Sequence, residues 1–256
     1  MKDREEVLNF LVYLETKYPV ETWKVKDVCV WPYLRNKLYF LINLEIEKDK
    51  RTKNYKKTFI EIKSKKGLKR FIYSFKSYFK SKLFFNSLKN KKYLFFEAPT
   101  HRIKFLKKSY NKYFDTIIKE CNLEKESYIF DYLQAKDKSV YNNLRINIYQ
   151  QLEYYETSLN LFKQKRRIEF KEKFNLYNSF YSEFKKYNFS ENFYKSILER
   201  KIKYSILSIY KKSLFFEKLY KKTNSKELFV LCYYNSLETY AIVLAASRLN
   251  IKLVEM

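Results

Sequence analysis

The chain has one histidine, His101, and it lies in the segment FFEAPTHR, Phe95 to Arg102. Imidazole changes charge near neutral pH, and the neighbouring Arg102 is a fixed cation whose donor fork suits phosphate or carboxylate. His101 therefore reads either as a base, or with Arg102 as a phosphate-contacting pair, or as an ordinary surface histidine. Arg35, in WPYLR (Trp31 to Arg35), reads as a contact to an anionic acceptor or as a tie between its helix and a neighbouring carboxylate, and the structural role is favoured. Asn235, Ser236 and Glu238 stand where an apolar run gives way to a helical pattern. The N–H groups of such a first turn can hold an anion. Asn235 followed by Glu238 is also a capping-box spacing, which accounts for these residues without a ligand.

Other chemistries are excluded by composition. One glycine, Gly67, and three prolines leave no Gly-rich phosphate loop or dinucleotide fingerprint, and neither a G-x-S-x-G elbow nor an H-E-x-x-H helix occurs. Cys29, Cys121 and Cys232 are widely spaced, with no histidine cluster near them, so neither a zinc site nor a disulfide framework is supported. No metal and no cofactor is expected.

The elements that must position these residues follow from periodicity. Glu227 to Tyr234 (ELFVLCYY) is a short apolar run of the kind that forms a parallel strand buried on both faces. A capped helix carrying Ile242, Ala245, Ala246 and Leu249 follows, then a strand at 251–255, which together make a βαβ unit. KYLFFE (92–97) and SYIFDY (127–132) predict two further strands, with a short helix at 115–121 before the second. Val7, Leu8, Leu11 and Leu14 mark an N-terminal helix, and Pro32 opens a second through Leu34, Leu38, Leu41 and Ile42. Residues 138–222 read as a long helical block. The division expected is an N-terminal helical region, 1–66, ending in a basic connection at 48–66, and an α/β domain at 67–256.

Leu68 to Leu88 predicts an amphipathic helix with Phe71, Phe75, Phe79 and Leu83 at i+4 intervals and Lys69, Lys76, Lys80 and Lys82 around them. Phenylalanines ringed by lysines suit a helix lying in the interface of an anionic membrane, and the same stripe would also serve to pack on the sheet. The net charge of +26 and the 20% aromatic content raise nucleic-acid binding, since phosphates attract Lys and Arg and bases stack on rings. Lysine far outnumbers arginine, the charges are scattered, and no nucleic-acid-binding signature occurs. Nucleic acid is thereby disfavoured against a solvated lysine surface or attraction to anionic lipid. The N-terminus lacks signal-peptide character and no run of 18 apolar residues occurs, so the protein is expected in the cytoplasm, peripheral on the inner membrane if the lysine-rich helix engages lipid.

Three segments carry a family resemblance: YYNSLETYAIVLAASRLNIKLVEM (233–256), WKVKDVCVWPYLR (23–35) and FFEAPTHR (95–102). They resemble, respectively, the close of the N-terminal domain, the Trp-Pro-x-x-Arg element and the first strand with its loop in GT-B-like glycosyltransferases of bacterial surface-polysaccharide (capsule and lipopolysaccharide) biosynthesis. The resemblance implies a Rossmann-like parallel sheet with large helical additions, like the N-terminal domain of a GT-B fold. In that family the last strand runs into a Gln-His-Gly segment at the interdomain cleft, which is absent before Met256. It further implies an acceptor-side domain, truncated or split and inactive alone. The C-terminal domain would hold the sugar nucleotide, and the acceptor would be a saccharide, free or lipid-linked. A basic nucleic-acid-binding protein and a non-catalytic membrane-surface scaffold are the alternatives.

Overall fold

The computed structural model describes residues 3–22, 24–25, 28–29, 31–50, 68–97, 102–105, 108–131, 141–159, 182–184, 186, 203–231 and 236–256. They fall into two units, one built from residues 1–65 and 163–208, the other from 66–162 and 209–256.

The first unit contains helices α1 (Arg4–Lys17) and α2 (Trp31–Lys50), with the two-residue strands β1 (Lys24–Val25) and β2 (Val28–Cys29) paired antiparallel between them. Asp3 caps α1, its carboxylate accepting from the Glu6 N–H at 2.9 Å, so that one orphan donor of the first turn is satisfied. Val7, Phe10, Leu11 and Leu14 are buried on one face, and Leu34, Leu38, Leu41 and Ile42 of α2 are buried likewise. Helix α2 runs through Lys50, so the start of the expected connection at 48–66 is helical; 51–66 lies outside the described residues. Glu183 is buried and accepts from Lys17 and Lys186 and from the Tyr13 and Tyr18 hydroxyls. These donors, Lys17 foremost, hold its pKa down to about 2.

The second unit is a parallel sheet flanked by helices, a Rossmann-like α/β topology. Helix α3 (Leu68–Ser87) leads to β3 (Tyr93–Glu97). An antiparallel hairpin of β4 (Arg102–Phe105) and β5 (Lys108–Asn111) follows, then α4 (Phe114–Glu120) and β6 (Ser127–Asp131). Next come β7 (Arg145–Asn147), α5 (Tyr149–Ser158), α6 (Lys203–Thr223, of which Ile209 onward belongs to this unit), β8 (Glu227–Val230), α7 (Leu237–Arg248) and β9 (Lys252–Glu255). The spatial order β7-β6-β3-β8-β9 is parallel throughout. By order along the chain this is 3-2-1-4-5, the order of a doubly wound sheet.

Side-chain alternation divides the core in two. Leu94, Phe96, Phe130, Leu228 and Val230 point to a cluster with Phe215, Phe216, Leu219 and Tyr220 of α6 and Ala241, Ile242, Ala245 and Ala246 of α7. Phe95 and Ile129 point the other way, to Phe114 and Ile118 of α4. Right-handed crossovers dictate this, because β3 to β6 and β8 to β9 step outward in opposite directions and so place α4 and α7 on opposite faces. Phe95 and Phe229 are register partners whose rings stack with centroids 4.6 Å apart, worth about 1 kcal/mol beyond their burial. With glycine nearly absent, asparagine serves where helices end in left-handed backbone: Asn122, Asn224 and Asn250 have φ of 55°, 50° and 51° after α4, α6 and α7.

The structure departs from the sequence expectation in three places. The block 138–222 is not all helical, since it contains β7 at the edge of the sheet. The hairpin β4–β5 was not anticipated. Helix α7 is capped by Ser236, whose hydroxyl accepts from the Thr239 N–H at 3.0 Å. The Glu238 carboxylate pairs with Lys212 of α6; Asn235, and with it the expected capping box, lies outside the described residues.

Among the described residues no helix is long and apolar enough to cross a membrane.

Candidate functional site

Ligands of open α/β sheets bind beyond the carboxyl ends of the strands, where the strand order reverses. Here that point lies between β3 and β8. Two of the sheet's apolar runs end on an acid at this carboxyl edge: Glu97 ends β3, beside that point, and Asp131 ends β6, one strand further from β8, as its register partner. Both share the parity of Phe95 and Ile129 and so project to the α4 face, where Asp115 of α4 also sits.

Two arginines bridge these three acidic side chains. Arg102, at the start of the hairpin, is bidentate on Glu97, with Nε to Oε1 and Nη2 to Oε2 both at 2.8 Å, and its Nη2 also lies 2.7 Å from Asp131 Oδ1. Arg145 of β7 reaches Glu97 Oε2, Asp131 Oδ1 at 3.1 Å and both oxygens of Asp115 at 2.7 and 2.8 Å. Asn111, fully buried at the end of β5, links the set to the backbone. Its Nδ2 donates to Glu97 at 2.9 Å, while its Oδ1 accepts the N–H groups of Tyr113 and Phe114 at 3.0 Å. The Asn111 N–H donates to Asp115 at 2.8 Å. Among the buried side-chain polar atoms of these residues, Arg145 Nε has no hydrogen-bond partner.

Burial on its own would raise the pKa of Glu97, but hydrogen bonds from Asp131, Arg102 and Asn111 and the Arg145 charge reverse this and hold it at about 2. Asp131 goes the other way: burial, and then the hydrogen bond to Glu97 and its negative charge, push it up to about 7 against the two arginines. Burial also raises Asp115, against the opposing Arg145 charge. A proton held between Glu97 and Asp131 leaves two carboxylates facing two guanidinium groups, which is electrically balanced in a region that stabilises isolated charge poorly.

The immediate work of this cluster is positional, pinning the hairpin and α4 to the ends of β3, β6 and β7. Its chemical capacity lies in Asp131, whose proton affinity matches an acid–base step near neutral pH, and in Arg102. These are its most exposed charged side chains, at 9% for Asp131 and 13% for Arg102.

Of the residues singled out from sequence, Arg102 belongs to the cluster. Ser236 stands beyond the carboxyl end of β8 as the cap of α7. His101 and Asn235 lie outside the described residues. Arg35 is in the other unit, where its Nε donates to Glu15 Oε1 at 2.8 Å, an oxygen that also accepts from Trp31 Nε1 at 2.7 Å; the Trp-Pro-x-x-Arg element locks α2 onto a carboxylate of α1. Glu97, Asn111, Asp115, Asp131 and Arg145 were not singled out. The acids closing KYLFFE and SYIFD were the legible signal for two of them.

The lysine-rich helix α3 is inverted. Among its described side chains Ser74, Ser77, Ser81 and Phe85 are buried, while Phe71, Phe75, Phe79 and Leu83 are 60%, 51%, 47% and 68% exposed. Serines inward let α5 pack closely along α3. Tyr73 and Lys80 fasten the pair through Glu153 and the Tyr154 hydroxyl. The reading in which the Phe stripe packs on the sheet is therefore corrected: these rings face outward, and at the end of the helix Phe84 and Phe85 make the core contact.

Among the described residues no group of acidic, histidine or cysteine side chains is arranged to hold a metal ion. No family model, curated protein or solved structure matches the chain.

Proposed function

We propose that this chain is the acceptor-side domain of a GT-B-like glycosyltransferase of surface-polysaccharide assembly, inactive alone and working on a lipid-carried acceptor at an anionic membrane surface. The observation that carries the reading is the outward aromatic face of α3 on the same unit as a doubly wound sheet, a fold whose ligands bind beyond the carboxyl ends of its strands. A lipid-linked acceptor requires both features in one body: an apolar, lysine-edged face to lie on the bilayer and a crevice for the saccharide. The sequence resemblance supports the same class.

In this reading the sugar nucleotide is held by a separate domain, and the bond made is glycosidic, with a nucleoside diphosphate leaving. Asp131 is the group matched to accepting a proton from the acceptor hydroxyl, and Arg102 the group matched to an anionic acceptor. His101 and Ser236 belong to the segments that follow β3 and β8. The test is a titration of the chain with sugar nucleotides in solution and, separately, with nanodiscs carrying a polyprenyl-diphosphate-linked saccharide. Binding to the loaded discs over empty ones, without sugar-nucleotide binding, is expected. Sugar-nucleotide binding by the chain alone, or equal binding to loaded and empty discs, would contradict it.

A second reading is favoured by α3 alone: a non-catalytic membrane-surface scaffold, which binds anionic discs equally with or without the saccharide. A nucleic-acid-binding protein is the third, and it would show affinity for oligonucleotides falling steeply with salt.

A further inference from the structure

Helices α3, α5 and α6 enclose a groove of about 270 Å³ whose charged lining is wholly cationic. Lys82 comes from α3 and Lys218 and Lys222 from α6, with Tyr78, Phe85 and Tyr155 among the walls. Lys218 Nζ stands 4.4 Å from the centroid of the Phe85 ring and 5.9 Å from that of Tyr155. Aromatic faces hold a cation in place without neutralising it, and no Asp or Glu lines the groove. Burial, and then the Lys222 charge one helical turn away, push the Lys218 pKa down. An incoming anion relieves both effects.

Size and surroundings narrow the class of anion. At ~30 Å³ per water the groove has room for a phosphate-bearing headgroup with a few waters and falls short of the pockets that enclose whole drug-sized ligands. Its lip continues into the outward face of α3. At 100° per residue Lys82 falls between Phe71 and Phe75 on the helix circumference, so the cationic groove and the apolar strip of Phe75 and Phe79 form one surface. That juxtaposition fits an amphiphile, with its phosphate in the groove and its apolar part along the phenylalanines.

We propose that the groove between α3, α5 and α6 receives the phosphate headgroup of an anionic membrane lipid, with Lys218 and Lys222 as its principal cations and Lys82 at its lip. The inference rests on the membrane-contact part of the proposed function and is independent of the transfer chemistry.

The test is vesicle co-sedimentation with phosphatidic acid, whose headgroup is a bare phosphomonoester, against phosphatidylserine at matched surface charge. Wild-type chain is compared with Lys218→Gln/Lys222→Gln and with Lys119→Gln/Lys125→Gln, which removes equal charge elsewhere; soluble glycerol phosphate is titrated in parallel. The expected result is roughly tenfold tighter binding to phosphatidic acid, abolished in the groove variant and kept in the control. Equal binding of the wild type to both vesicles overturns the groove while leaving membrane contact standing, and needs no variant to fold. No binding to either vesicle overturns both. Equal loss in the two double variants shows unspecific charge and overturns the groove, as does glycerol phosphate binding without vesicle preference.

Discussion

Glu97 and Asp131 are register partners at the last positions of two neighbouring parallel strands, so the sheet itself sets two carboxyl groups side by side in its buried edge. Like charges so placed cannot both ionise cheaply, and the pair resolves this by splitting its proton affinities, Glu97 to about 2 and Asp131 to about 7. Against an unfolded value near ~3.9 for Asp, the raised Asp131 contributes stability that is fully present below about pH 4 and is lost as pH rises through about 7. Glu97, depressed, contributes stability that is present above its unfolded value of about 4.3 and lost as pH falls through about 2. Asp131→Asn preserves a neutral donor beside Glu97. It is expected to flatten the fall in melting temperature between pH 5 and 8 by more than about 2 °C relative to wild type; parallel curves would show that Asp131 ionises normally.

Arg145 holds Glu97, Asp131 and Asp115 together. Arg145→Met strands buried carboxylates without their counter-charge, at an expected cost of about 3–5 kcal/mol in urea unfolding. A loss below about 1 kcal/mol would mean that the cluster is hydrated rather than closed.

The inversion of α3 makes an unusual pair of expectations. Ser77→Leu, a larger apolar residue on the face packed by α5, is expected to destabilise by about 1–3 kcal/mol through overpacking. Phe75→Ser, which removes a large apolar side chain from the outward face, is expected to stay within about 0.5 kcal/mol of wild type. Thermal unfolding of the two variants checks this, and the reverse order would place the phenylalanines inside.

In the first unit, Glu15 accepts from both Trp31 and Arg35. A double-mutant cycle of Glu15→Gln and Arg35→Gln should give a coupling of about 0.5–1 kcal/mol, as expected for a part-exposed pair. No coupling would free Arg35 for a ligand.

The sheet was legible where apolar runs were long enough to be buried on both faces. YLFFE, SYIFD and ELFV pair within a residue or two of expectation at their starts, and the capped helix after β8 is present with its cap moved one residue to Ser236. Strand β7, only three residues at a sheet edge, has too few apolar positions to stand out from the helical spacing around it. The cluster was largely illegible for a related reason. Its members come from β3, β4, β5, α4, β6 and β7, and only register and crossover handedness bring Arg145 to Glu97, which lies 48 positions earlier. For α3, periodicity found the stripe correctly but not which side faces in, because close packing through serines reverses the usual polarity.

The outward face of α3 is proposed to be a membrane face. Flotation with phosphatidylglycerol-containing vesicles, comparing wild type with Phe71→Ser/Phe75→Ser/Phe79→Ser, measures it directly. The wild-type chain is expected to float and the folded variant to stay at the bottom of the gradient, since three interfacial phenylalanines and the flanking Lys76 and Lys80 act together. Equal flotation of variant and wild type would take α3 out of the membrane.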